Sequence, residues 1–515
     1  MTRGRLLHFG SPYDDLARSK SYTASGGTVN GTISSLNVSL GGISPIGTAD
    51  EVNGFILDGD YEADNFGFGF CSSDKSAADG TFTTAPEVTM TCTGAVSSYS
   101  QGVTLIFAND DLAEFDIVFK YNGAVSRTDH IVPTGRVVNA PGGGPYTWNE
   151  ITVTFTKTAI PERYVKLSRF FLGRVELFEG ADLVSCDITR ECNMGGLELP
   201  AGVLSAVIAN DAAAKFKYRQ LILAYWGDNY LGHFYVEGVK KQGAGIYAVN
   251  CTDAIGVLAA TPFAGTYMAS DTDAYDAAEA IIGTTYYDLF LEQLKIGSIR
   301  GAVVGTNKRD ALLAFALGAA QYVSSRYQRG VAPVYRFTAP ICLDIINTDE
   351  TSDVHAIPPE RIYNDADTSE VVAVSQLEII SHALTASQYG SIIIGNNRYN
   401  DTETTNTYTV TTNVGLPNVK RIAEAFTIIT GKSDPLNTDP SDVYTIGNAV
   451  GDYLKHLKRL VIAEAVTDGA PADLSETISA TVNGVAYKAN VEKINYAFGA
   501  SIMRTTYTAV VISEA

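Results

Sequence analysis

Apolar and polar residues alternate with a period of two through much of the first third of the chain, as in Val103-Thr-Leu-Ile-Phe107, Phe115-Asp-Ile-Val-Phe-Lys-Tyr121 and Ile151-Thr-Val-Thr-Phe-Thr156. Such alternation places one row of side chains in a core and the other in water, so these segments predict half-buried antiparallel strands. Tyr121-Asn-Gly123 and Pro141-Gly-Gly-Gly-Pro145 punctuate them with turn residues. Together they predict a β-sandwich. The first 50 residues differ. Thr23–Thr32 is rich in Gly, Ser and Thr and reads as flexible, and the alternating Ile33–Leu40 reads as an arm or edge strand. Strands continue in Gly173–Phe178, Leu197–Ile208, Tyr230–Glu237, Val334–Thr338 and Val371–Ser375, and the last is Arg504–Ile512. Asn483-Gly484 predicts a tight hairpin turn, and the Asn- and Thr-rich residues 395–415 predict an exposed hairpin tip.

Helical spacing appears in Ala274–Ile282, Tyr287–Leu294 and the segment after Thr306, where Thr306 fits an N-cap and Leu312, Leu313, Phe315, Ala316 and Leu317 form an apolar face. A last helix is predicted over Asn448–Ile462, with Lys455, Lys458 and Arg459 on one face, either solvated or meeting an acidic partner.

Composition agrees with a β-dominated chain. The 515 residues include 28 Tyr and 47 Gly, against 17 Pro and 18% charged residues, which favours strands and turns. This length corresponds to roughly three or four domains at about 100 to 200 residues each. A formal net charge of −20 argues against nucleic-acid binding, which rests on Lys and Arg displacing counterions from phosphates. Cys71, Cys92, Cys186, Cys192, Cys251 and Cys342 show no metal-ligand spacing and read as packed free thiols. No apolar run reaches the length of about 18 residues that suggests a membrane span. The N-terminus lacks the apolar core of a signal peptide, so synthesis in a cytoplasm is expected.

Little in the chain reads as catalytic chemistry. It has no GxSxG, HExxH or Walker-type Gly-Lys-Ser/Thr motif, and neither metal ligands nor a cofactor site is indicated. Glu237 with Asp253, and Glu464 with Asp468, are carboxylate pairs of the kind a glycosidase uses, but 57 acidic residues make such pairs inevitable. His233 stands alone on an alternating strand and reads as structural. Tyr99, Tyr146, Trp148 and Arg163 are a candidate carbohydrate platform, since aromatic faces stack on sugar rings. Turn formation and packing explain the same residues.

Several segments in order resemble the hub proteins of phage tail baseplates. Val249-Asn-Cys-Thr-Asp-Ala-Ile-Gly-Val-Leu258 resembles a barrel strand running into an Asp that opens a short helix. Gly301–Ala320 resembles the buried helix that follows, and Gly232-His-Phe-Tyr235 a tube-barrel segment. Ile56–Gly59, Phe68–Ser73, Gly102–Phe107 and Ile160–Leu167 resemble a jelly-roll insert in hub-like tail proteins of prophages from Gram-positive hosts. The C-terminal region also looks hub-like, with a helix opening at Asp452-Tyr453 and a barrel segment turning at Asn483-Gly484.

The resemblance implies a mainly β fold with a smaller α+β part. Its domains would be an arm with the first hub strands (1–51), an inserted jelly-roll or galactose-binding-like sandwich (52–173), a tube-like barrel (174–262), an α-rich domain (263–345) and a second barrel (346–515). It further implies a homotrimer in a phage, tailocin or contractile injection system, located at the baseplate. There it would close the distal end of the tail tube and meet the distal tail or tube protein, the tape-measure protein and spike or fibre proteins. Hubs of this kind often carry a C-terminal lysin; the chain reaches Ala515 directly after a barrel-like strand, which implies a hub without its own hydrolase. Two other functions are consistent with the sequence. One is an adhesin that binds cell-surface glycan through the sandwich, and the other a cell-wall hydrolase with a dispersed acidic site.

Overall fold

The computed structural model describes residues 4–10, 20–30, 69–96, 103–107, 112–140, 147–227, 229–283, 287–291, 298–326, 339–346, 354–363, 366–410, 419–425, 427–429, 442–466, 470–499 and 502–514. The fold is mainly β, with a smaller helical part. Its backbone is one 13-stranded sheet. The path begins at the edge strand Val175–Glu179 and passes through Gly4–Phe9, Leu221–Trp226, Asn229–Gly243, Ile246–Thr252, Val203–Ile208 and Leu183–Glu191. It continues through Val485–Phe498, Met503–Glu514 and Lys458–Val466 to the edge strand Asp367–Glu370. Thr477–Val482 pairs beside Val485–Phe498, and Val354–Ala356 pairs in parallel with it.

The sheet curls into two half-barrels around one continuous core. Leu204, Ile222, Trp226, Phe234 and Val249 fill the first half, Ile462, Ile478, Ile494 and Tyr507 the second, and all belong to a single buried cluster. The halves are knitted by antiparallel pairing that runs from Cys186↔Phe498 to Glu191↔Lys493. The hairpin closing the second half turns at Asn483 and Gly484, both at positive φ (51° and 82°), the backbone that an Asn-Gly turn supplies at little cost.

The sandwich is inserted between two hydrogen-bonded neighbours of the first half-barrel. Phe9 pairs with Val175, and the Gly10 N–H donates to the Arg174 carbonyl at 2.8 Å. Between them stand two five-stranded antiparallel sheets. One orders Lys20–Ser25, Glu87–Val96, Trp148–Thr158, Ala113–Tyr121 and Ala124–Ile131; the other orders Gly27–Asn30, Gly69–Ser72, Lys166–Leu172, Val103–Phe107 and Val137–Ala140. Phe70, Phe107, Phe115, Phe119, Ile151 and Phe155 are buried between them. The pairing differs from a sandwich that starts at residue 52. Lys20–Ser25 and Gly27–Asn30 already belong to its two sheets, with the chain crossing from one to the other at Gly26 (φ 63°). Ile33–Leu40 and Ile56–Gly59 lie outside the described residues.

Helices α1 (Ala254–Ala259), α2 (Ala274–Ile282) and α3 (Lys308–Gly318) share a second buried cluster. They pack with two three-stranded sheets, so region 263–345 is mixed α/β, not α-rich. Three helical expectations are corrected here. Tyr287–Leu291 is a strand, parallel to Ala339–Ile345; so short an apolar run suits either period, and ladder pairing decides it. Helix α3 is capped by Asn307, whose side chain accepts from the Asp310 N–H at 2.9 Å, and not by Thr306. The last helix, α4, spans Asp442–Leu454, so Asp452 and Tyr453 lie near its end; Lys458–Val466 is a strand against Met503–Glu514. The expected hairpin tip is present at Gly395-Asn396, where Ile392–Ile394 turns back antiparallel on the following strand, and residues 397–409 continue as a long strand against Val374–Ala386. No described helix is long and apolar enough to cross a membrane.

Candidate assembly surface

Strand Leu183–Glu191 alternates inward and outward, and Cys186, Ile188 and Arg190 all point inward. Arg190 therefore enters the core, 2% exposed, at the seam between the half-barrels. Its Nη1 donates to Asp473 Oδ1 at 2.8 Å and to the Leu231 carbonyl at 3.4 Å, and its Nη2 to the Ser325 carbonyl at 2.7 Å. One guanidinium thus ties together four separate segments. Burial opposes its charge, but Asp473 and neighbouring acidic groups outweigh that and raise its pKa above the ordinary value. Nearby, Asp253 caps α1 by accepting from the Gly256 N–H at 3.1 Å. Burial pushes its carboxyl up against the lowering effect of those hydrogen bonds.

Other buried polar groups repeat the arrangement. Arg326 donates to Asp344 from Nε at 3.0 Å, and its Nη2 lies 2.9 Å from the same oxygen. In the second half, the fully buried Glu464 meets His355 Nε2 at 2.9 Å and accepts from the Tyr507 hydroxyl at 3.1 Å. Arg459 Nε donates to Glu492 at 2.6 Å, and the Tyr453 hydroxyl donates to the same carboxylate. Buried pairs contribute little net stability, but breaking one is costly, so they fix how segments sit relative to each other.

Among the described residues, the branched sheet presents three outer strands. Val175–Glu179 and Asp367–Glu370 each have a sheet neighbour on one side only, and the third is Val354–Ala356 beside Thr477–Val482. Of the two ends of the path, the second is the more open. It lies along strand Lys458–Val466, held by Tyr363 N–H to Ala463 at 2.7 Å at one end and Val371 N–H to Leu457 at 2.8 Å at the other. Tyr363, Val371 and Val372 stand out from it, 59%, 41% and 70% exposed. An edge strand offers unpaired backbone donors and acceptors, and apolar side chains beside it add to its capacity to bind another chain.

Comparison with known proteins places structural neighbours among phage-tail proteins. A tail protein from Neisseria meningitidis MC58 superposes with a TM-score of 0.43 at 10% identity, covering 65% of this chain and 93% of that one. The 43 kDa tail protein of prophage MuSo2 from Shewanella oneidensis gives 0.41 at 10% identity, covering 66% and 95%. A component of the type VI secretion system of E. coli gives 0.39 at 8% identity, covering 64% and 74%. No protein-family model and no curated protein matches the sequence. The superpositions are partial, and the functional reading rests on the chain's own strand pairing.

Of the residues considered for sugar binding, Trp148 and Arg163 are among the described residues. Trp148 is 1% exposed and packs edge-to-face on Phe119, ring centroids 5.6 Å apart, so its ring faces are used in the sandwich core. Arg163 sits on a loop whose backbone exchanges hydrogen bonds with Ser76; Tyr99 and Tyr146 lie outside the described residues. The acidic residues have differing surroundings. Asp253 is a buried helix cap, Glu237 is exposed, Glu464 belongs to the buried network, and Asp468 lies outside the described residues. His233 is buried, with Nδ1 bonded to the Tyr230 hydroxyl. Lys455, Lys458 and Arg459 diverge to Asp452, Glu514 and Glu492. All six cysteines are buried free thiols, and burial raises the Cys186, Cys192 and Cys251 thiol pKa values. Sequence reasoning missed Arg190, and it weighed Glu464 as half of a catalytic pair without seeing its buried contacts to His355 and Tyr507. Their signal was a charge at an inward position of an alternating strand, as in Leu460, Ile462, Glu464 and Val466.

Proposed function

We propose that this chain is a structural hub of a phage tail or related tail-like particle, assembling head to tail into a closed three-membered ring. The carrying observation is the single sheet that builds two half-barrels and has an outer strand at each end of its path. Two half-barrels per chain let three copies present six to a tube. An edge on one copy meeting a different surface on the next is a heterologous contact, which closes into a ring when the rotation permits. An obligate contact of this kind buries more than roughly 2,000 Å². On this reading the partners are the distal tail or tube protein, the tape-measure protein and spike or fibre proteins. The net charge of −20 per chain would give the lumen a surface that passing DNA does not stick to.

Light scattering on the purified chain, alone and with neighbouring tail proteins, tests this. A trimer in either state is the expected result. A monomer that persists with every tail protein present overturns it. Val372→Asp, at the open edge, is expected to weaken self-association at least tenfold while leaving the monomer's thermal transition in place.

A further inference from the structure

In a separate four-stranded sheet, the strands Val374–Ala386 and Asn397–Thr409 pair antiparallel. His382 is directly opposite Glu403, and Leu384 is opposite Asp401, which puts His382, Asp401 and Glu403 on one face. One donor atom from each lies within 4.8 Å of the others. We propose that these three residues bind a divalent transition-metal ion of the zinc type.

Four observations carry the assignment. His382 and Asp401 are held together, Nδ1 to Oδ2 at 2.7 Å, with side chains only 5% and 12% exposed. The other carboxylate oxygen, Asp401 Oδ1, is buried and accepts no hydrogen bond among the described residues. Leaving such an atom unsatisfied is costly, and a cation removes that cost. Thirdly, the neighbourhood is covered from one side by strand Thr266–Asp273: the Tyr267 hydroxyl donates to the Leu384 carbonyl at 3.1 Å, and its ring lies 4.5 Å from that of Tyr399. Glu403 remains exposed, which gives an ion an entry path from solvent.

The donor set selects the ion. One imidazole with two carboxylates matches zinc-type coordination, whereas calcium and magnesium take oxygen donors alone. Ligands about 2.1 Å from a common zinc lie about 3.4 Å apart in a tetrahedron. The His382–Asp401 contact of 2.7 Å therefore opens slightly to admit the ion, and the exposed Glu403 side chain closes on it by a small movement. Binding releases any proton held on the coordinating imidazole nitrogen. The bound ion would pin the two long strands together, and with three protein ligands it leaves one position for water or for a donor from a neighbouring protein.

The test uses the full chain, stripped with chelator and titrated with ZnCl2 in a calorimeter, with thermal unfolding followed in parallel. The expected result is one ion per chain at micromolar or tighter affinity, with a raised melting temperature. His382→Ala and Glu403→Gln are each expected to weaken binding at least tenfold. Glu403→Gln changes an exposed side chain and so tests the site even if His382→Ala fails to fold. Absence of saturable binding overturns the proposal, and so does binding that Glu403→Gln leaves unchanged. In the first case the cluster is an ordinary histidine–carboxylate pair; in the second the ion sits elsewhere.

Discussion

Arg190 shows how one side chain can hold a seam together. Replacing it with Met keeps most of the apolar stem but removes hydrogen bonds to Asp473, Leu231 and Ser325. Breaking a buried pair costs about 3 to 5 kcal/mol, and Arg190→Met is expected near the lower end, because Asp473 is 32% exposed and can rehydrate. The check is the midpoint of urea unfolding. A midpoint unchanged from the parent would show that the seam does not depend on this clamp. Glu176 gives a pH prediction. Burial pushes its carboxyl up, but nearby His8, 3.6 Å away, and the charge and hydrogen bond of Arg174 outweigh burial, and the net shift is downward. A carboxylate held low in the fold contributes stability above its unfolded pKa, and that stability is lost as pH falls through the folded value. The expected outcome is that Glu176→Gln is less stable than the parent at neutral pH, with the difference shrinking on acidification below the ordinary glutamate range. Thermal melts of both proteins at several pH values measure this; a constant difference would refute the linkage.

At the scale of elements, the period-two pattern was legible wherever one face of a strand is wet. Residues 113–121 alternate buried and half-buried as the sequence predicts, and Asp253 opens α1 as the resemblance implied. Legibility failed where two periods fit the same residues. Leu454-Lys-His-Leu-Lys-Arg-Leu-Val-Ile462 suits a helix by spacing, yet pairing with Met503–Glu514 makes its second half a strand, because tertiary ladder formation outweighs weak local propensity. Arg190 meets Asp473, and Glu464 meets His355, across long sequence separations, so the local pattern marks an inward charge but not its partner. The real α4 has a packing constraint that spacing does not reveal. A Cβ placed on Gly447 would lie 2.2 Å from the Tyr408 ring, so the helix approaches the long strand closely through this glycine. Gly447→Ala gains helix propensity but overpacks the contact, and overpacking typically costs about 1 to 3 kcal/mol. A net drop in melting temperature is expected, and a rise would mean that the Tyr408 ring moves aside cheaply.

For the whole molecule, the decisive relation is between the sandwich and the body that carries it. The insert leaves and returns through adjacent, hydrogen-bonded strands, with Phe9 opposite Val175 and Gly10 bonded to Arg174. Replacing residues 11–173 by Asn-Gly would thus leave a two-residue hairpin of favoured type. The sandwich has its own buried cluster, while Ile106 is its buried contribution to the neighbouring one, so removal should uncover little of the body's core. The chain's 2 tryptophans permit a direct check, since Trp148 is buried in the sandwich and Trp226 in the first half-barrel. In the full chain, Trp148→Phe makes fluorescence report the body alone, and Trp226→Phe makes it report the sandwich. Two separable urea transitions are expected, and the shortened chain should reproduce the body's transition and its self-association. If both reporters unfold at one midpoint and the shortened chain is unfolded, the sandwich is part of the hub's folding unit. If the shortened chain folds but stays monomeric, the sandwich supplies part of the ring contact, and the open edge at Asp367–Glu370 is not sufficient for assembly.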